Sequence, residues 1–133
     1  MRLWEAILEG CKLSTQCRGK LVSDDLMSTC AMGAAFVAVG AIIKGVVQTG
    51  RTMIEMFPVT GSVGRLRCPE ACIELQTGGV VDVVVHLNDH HNWERERIAY
   101  WLRDIEEPNW RERIQATTEP SVLSTINIPT LVG

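Results

Sequence analysis

A chain of 133 residues is sized for one domain with a modest core, small enough that a structural metal would add substantially to its stability. Its 13 Lys and Arg against 16 Asp and Glu give a formal net charge of −3, which leaves no global basic footprint and weighs against nonspecific nucleic-acid binding, although a local patch stays open. The 5 cysteines are odd in number and no apolar signal-type segment follows Met1-Arg2-Leu3-Trp4-Glu5, so a reducing, cytoplasmic setting is expected.

Leu3, Trp4, Ile7 and Leu8 recur at helical spacing with Glu5 and Glu9 opposite and Gly10 near the end, which predicts a short amphipathic helix. Cys11 and Cys17 follow in a segment of mixed polarity that matches neither a ligand pair nor a resolving-thiol arrangement, so packing is their expected role. Residues 26–43 carry no charge, a borderline length for a membrane span. Ser28, Thr29, two glycines and five alanines suit close helix packing in a soluble core instead. A helix over about 28–44 is expected, capped by Ser28 or Thr29 and loosened at Gly40 or Gly45. Cys30 then lies in its first turn, where a helix dipole can lower a thiol pKa, but a buried structural cysteine is the preferred reading. Around Met53, Ile54, Met56 and Phe57 a shorter helix is expected, followed by a mobile loop over 57–65.

Residues 68–91, CPEACIELQTGGVVDVVVHLNDHH, organise the chain. Three residues separate Cys68 from Cys72, thirteen lead on to His86, and four separate His86 from His91; this is the spacing of a Cys2His2 zinc site. Zinc prefers four thiolate or imidazole ligands in a tetrahedron. Pro69 favours a turn that aims both sulfurs at one point, and a helix from Val80 places His86 on one face with His90 or His91. Ideal helical geometry favours His90; His91 requires the last turn to tighten or fray. The ordinary alternative is two buried cysteines and unligated histidines.

As a DNA-reading finger, the helix would present Gly79, Asp82 and Val85 to the bases, and those side chains cannot read guanine. The valines from Val80 to Val85 make that helix apolar almost all round, so it should be buried against the rest of the domain. A hydrolytic zinc would need an open position and a base such as Asp89 with His90 beside it, but four protein ligands leave no vacancy, so no catalytic residue is expected.

Beyond the metal stretch, Asn92 is the expected cap of a helix whose first turn holds Trp93 and Glu94 and whose stripe is Ile98, Trp101, Leu102 and Ile105. Its other face carries Arg95, Arg97 and Arg103 interleaved with Glu94, Glu96 and Asp104, a pattern of a solvated, salt-laced surface. Pro108-Asn109 breaks the helix and another can start at Trp110. Residues 117–133, rich in Thr, Ser and Pro, read as a loosely held tail or a strand that pairs elsewhere.

Cys30-Ala31-Met32-Gly33-Ala34-Ala35, the Cys68-Pro69 knuckle, and His86-Leu87-Asn88-Asp89 with His91, Trp93, Arg95, Ile98-Ala99 and Trp101 together resemble a family of small bacterial and phage proteins. Its members carry a C-A-L-G-A-A helix, then C-P-x-C, then H-L-N-D-D-H-x-W-x-R-x-x-I-A-x-W. The resemblance covers most of residues 1–105 and is most specific over 86–101. It implies a metal site at Cys68, Cys72, His86 and His91 and no particular activity, with a phage or mobile element as the expected source. This sequence departs in having C-x3-C where the family has C-x2-C, and His90 where the family has an aspartate.

The sequence therefore predicts a mainly α, small α+β protein. A single compact helical domain over residues 1–116 holds an embedded Cys2His2 zinc-finger-like knuckle, with short hairpins near 20–22 and 72–76 and a C-terminal tail over 117–133. The expected function is that of a zinc-stabilised binding or adaptor protein whose partner is another protein or a small ligand, with no membrane association. The expected binding surface is Trp93, Arg95, Arg97, Trp110 and Arg111, where exposed Trp and Arg together are the residue types of interaction hot spots. A nucleic-acid or nucleotide-binding role would use the same 93–113 face, with Arg103 and Arg113 added and Trp93 or Trp110 stacking on bases.

Overall fold

A computed structural model describes residues 1–43, 46–47 and 50–112 of the chain. In chain order the elements are α1 (Leu3–Cys11), β1 (Thr15–Gln16), β2 (Ser28–Thr29), α2 (Ala31–Ala38), β3 (Ile42–Ile43), β4 (Val46–Val47), α3 (Met53–Met56), α4 (Val59–Ser62), β5 (Leu66–Arg67), β6 (Thr77–Gly78), α5 (Val80–Asp89) and α6 (Arg95–Glu106). The strands form two-residue pairs: β1 with β2 in parallel, β3 with β4 and β5 with β6 antiparallel. The expectations for Arg113 and for the 117–133 tail lie outside the described residues.

Helix α1 forms as the apolar spacing predicts, and its buried Leu3, Ala6 and Ile7 pack against both α2 and α6. The crossing with α2 is close enough that a Cβ on Gly10 would sit 1.9 Å from the Ala34 carbonyl oxygen. Small residues on α2 make this approach possible, and Ala31, Met32, Gly33, Ala34 and Ala35 are all buried. The uncharged stretch thus holds a core helix at its centre, and no helix among the described residues is long and apolar enough to cross a membrane.

That helix is shorter than the expected 28–44 span. Ser28 and Thr29 are drawn into pairing with Thr15 and Gln16, so neither caps α2. The Cys30 sulfur does so, accepting the Gly33 amide at 3.4 Å. At the other end Gly40 adopts a left-handed φ of 75° and the Ala41 amide closes onto the Phe36 carbonyl at 2.8 Å. This is the glycine-dependent stop of a Schellman turn.

Two further expectations are corrected. The 57–65 segment is anchored, because Phe57 and Val59 belong to the core and residues 59–62 form the turn α4. The hairpins also differ in place: residues 20–22 contribute one isolated bridge, Val22 to Thr29. In place of a 72–76 hairpin, β5 and β6 pair on either side of the knuckle and hold its two ends together.

The core joins Leu3, Ile7 and Met32 to Phe57, Val80, Val83, Val84, Leu87, Ile98 and Leu102. Helix α5 is inserted in it, in contact with α2, α4, α6, β5 and β6. That placement explains its valine-rich sequence and fixes where its last turn, the carrier of the histidines, can lie.

Candidate metal centre

The knuckle is built by Pro69 and Ala71. The Ala71 amide closes a turn onto the Cys68 carbonyl at 3.0 Å, and Ala71 takes a left-handed φ of 53°. This extra left-handed residue accommodates the three-residue spacing and turns Cys72 back toward Cys68. The Cys72 and Cys68 sulfurs are 3.7 Å apart.

Helix α5 supplies the other pair by widening its last turn. The His90 and His91 amides both return to the His86 carbonyl, at 2.8 and 3.3 Å, and the second of these spans five residues in the manner of a π-turn. Asn92 then adopts φ 55° and the Trp93 amide closes onto the Leu87 carbonyl at 3.0 Å. The sequence suggested that the turn would have to tighten or fray to bring in His91; it widens instead.

His86 Nε2 and His91 Nε2 lie 3.1 Å apart, with Cys72 Sγ 3.1 Å from His86 Nε2 and Cys68 Sγ 3.6 Å from His91 Nε2. All four donor atoms lie within 4.8 Å of one another. Around a tetrahedral zinc with ordinary bond lengths, sulfurs would be about 3.8 Å apart, a sulfur and a nitrogen about 3.5 Å, and two nitrogens about 3.3 Å. The donor set and its spacing therefore suit a four-coordinate ion, and the cysteines form no disulfide.

Burial, and the charge that His91 and His90 would carry beside it, hold the His86 imidazole below its ordinary pKa, which keeps it in the neutral form a metal requires. Removal from water, and then the neighbouring Cys68, push the Cys72 thiol up. Ion binding must displace that proton, so assembly of the site is coupled to pH. His90 stands outside the cluster: its ring stacks on His86 with centroids 4.8 Å apart, and its Nε2 faces Glu74 Oε1 at 3.7 Å.

The carboxylate and amide of the Asn88-Asp89 pair are already engaged. Asn88 is fully buried; its Oδ1 accepts from Gln16 Nε2 and the Ala31 amide, and its Nδ2 donates to the Cys17 carbonyl. Asp89 Oδ1 accepts from Asn88 Nδ2 at 2.7 Å and the Gly19 amide at 2.9 Å. Asp89 thus serves the fold where a hydrolytic site would need it as a base.

Of the five residues expected at the binding surface, Trp93 and Arg95 are buried, Trp110 is half-buried, and Arg97 and Arg111 are exposed. Helix α5 closes at Asp89 with His90 as its C-cap, and Glu94 is the N-cap of α6, so Asn92 does not cap α6 and Trp93 lies in the connection, not in a helical turn. It is only 6 % exposed, donates Nε1 to Glu70 Oε2 of the knuckle at 2.7 Å and is covered by the Arg97 guanidinium 3.7 Å from the ring centroid.

Arg95, placed by sequence on a solvated face, is 5 % exposed. It donates to the Ser14 carbonyl at 2.6 Å, Ser14 Oγ at 3.2 Å and Thr29 Oγ1 at 3.0 Å. Trp110 is half-buried, with the Arg103 and Arg111 guanidiniums 3.4 and 4.6 Å from its centroid and its Nε1 bonded to Asp104. Arg97 and Arg111 remain at the surface, but each lies against a tryptophan of its own chain.

The buried roles of Asn88 and Arg95 were missed in the sequence. For Asn88 the signal available was its place directly after Leu87 in the apolar α5, where a polar group must find partners within the protein; Arg95, between Glu94 and Glu96, offered none. No family model, curated protein or solved structure matches the chain.

Proposed function

We propose that this chain is a small binding or adaptor protein whose fold is stabilised by zinc held at Cys68, Cys72, His86 and His91. The observation that carries the reading is the convergence of two sulfur and two nitrogen donors, with four neighbouring distances of 3.1 to 3.7 Å and all four atoms within 4.8 Å of one another. Two thiolates with two imidazoles form a donor set typical of closed structural zinc sites. Further support comes from the role of the site in the chain. An ion there would tie the 68–72 knuckle to the end of α5, beside the Trp93–Glu70 hydrogen bond, in a protein small enough to gain from a structural metal.

A hydrolytic role has less support, because Asp89 is tied to Asn88 and Gly19. A nucleic-acid role has less as well, because two arginines of this chain already lie over the Trp110 ring, 3.4 and 4.6 Å from its centroid.

Zinc-edge X-ray absorption of the loaded protein tests the reading. The expected shell holds two sulfurs at about 2.3 Å and two nitrogens at about 2.0 Å, with no further oxygen. A shell containing a water oxygen and fewer protein ligands would contradict a closed structural site and favour catalysis.

A further inference from the structure

The end of α5 has two working sides. One carries His86 and His91. The other holds the N-terminal segment through hydrogen bonds to Asn88 and Asp89, between the two histidines, and to the carbonyls of Asn92 and Trp93 just after them. Asn88 Oδ1 accepts from Gln16 Nε2 at 2.9 Å and the Ala31 amide at 3.1 Å, and Asn88 Nδ2 donates to the Cys17 carbonyl at 3.0 Å. Arg18 Nε donates to the Asn88 carbonyl at 2.9 Å, and its Nη2 to the Asn92 carbonyl at 3.3 Å. The Gly19 amide donates to Asp89 Oδ1 at 2.9 Å, and Gln16 Nε2 also reaches the Trp93 carbonyl at 2.8 Å.

Away from α5, residues 16–20 have few partners: the Cys17 amide donates to the Thr29 carbonyl at 3.0 Å and Lys20 pairs with Asp24. Their strand pairing is two residues long, and Arg18, Gly19 and Lys20 contribute nothing to the apolar core. Their order therefore depends on the shape of the 86–93 backbone. That shape is unusual: a π-type bond at His91 and a left-handed Asn92 cost free energy that a regular helix end would not. Ligation of both His86 and His91 would hold the chain in this widened turn, since an ordinary helical end favours the position of His90 over that of His91.

Resting on the metal reading above, we infer that ligation at His86 and His91 orders the 16–20 segment and the start of α2, with Asn88 as the connecting residue. Arg95 acts as a separate clamp: it holds Ser14 and Thr29 from α6. Loss of the ion releases residues 16–20 while the two ends of the β1–β2 region remain attached to α6. The metal centre is thus a switch for one surface segment as well as a staple for the knuckle. By linkage, contacts that dock this segment raise the affinity of the site by the same factor as the ion raises docking.

Amide exchange measured by NMR on zinc-loaded and chelator-treated protein tests this. Chelation is expected to speed exchange at Gly19 and Ala31, whose amides donate to Asp89 and Asn88, by at least about fivefold more than at Ala6 and Glu107, the low end of the range for coupled sites. Arg18→Ala, which removes the two peripheral bonds and no core contact, should still fold. It should exchange rapidly at Gly19 even when loaded and bind zinc more weakly by a similar factor. Equal acceleration at all four amides would mean global loosening and overturn the inference, as would unchanged zinc affinity in Arg18→Ala. If zinc binds and leaves with no change at Gly19 and Ala31, the inference fails and the metal reading stands. If the protein takes up no zinc, both fail.

Discussion

His91 reaches the donor cluster because the helix end is distorted, and His90 is left facing Glu74 because of the same distortion. His91→Ala should therefore abolish stable metal binding and lower the unfolding temperature, whereas His90→Ala should change stability by no more than about 0.5 kcal/mol. Metal affinity and thermal unfolding of the two variants check this, and retention of metal by His91→Ala alone would reverse the assignment. Ala71 has a related story. A left-handed alanine costs about 1 to 2 kcal/mol, part of which glycine returns to the unfolded chain as entropy. Ala71→Gly should accordingly stabilise the protein by up to about 1 kcal/mol in a chemical denaturation curve. Cys68, Cys72, His86 and His91 were legible in the sequence because thiol and imidazole at finger-like spacing have few other uses. Trp93 and Arg95 were not: an arginine between glutamates reads as surface, and only the arrival of Ser14 and Thr29 from a distant segment makes a buried site for it.

Helices with one-sided apolar spacing, α1 and α6, and the valine-rich α5 were readable to within a few residues. Helix α2 was not, because its ends are set by partners and not by its own composition: β1 claims Ser28 and Thr29, and Gly40 stops the helix before the uncharged stretch ends. The two-residue strands carry no periodicity to read. What the small residues of α2 do predict is close contact, and the structure supplies the partner in Gly10. A methyl group there would overlap the Ala34 backbone, which cannot yield as a flexible side chain would. Gly10→Ala should destabilise the fold by about 3 kcal/mol, measured by denaturant unfolding; a change within about 0.5 kcal/mol would show that α1 and α2 separate readily.

In the whole molecule, α6 closes back on α1. The Leu3 and Trp4 amides donate to the Glu106 carboxylate at 2.8 and 3.0 Å, while Trp4 Nε1 and Arg2 Nε reach Glu107 at 2.6 and 2.9 Å. Burial raises the Glu106 pKa despite those two amides, which lower it. A carboxyl whose folded pKa lies above its unfolded one contributes stability below the unfolded value and loses it as pH rises through the folded value. Glu106→Gln should remove that loss, so wild type should lose stability relative to the variant as pH rises from about 4 to 7; parallel profiles would contradict the assignment. The account as a whole stands on the metal. Elemental analysis of protein purified from zinc-sufficient medium is the most direct measurement. It should find about one zinc per chain in wild type and little in Cys68→Ser or His86→Ala. Wild-type protein that folds with no bound zinc would contradict the account.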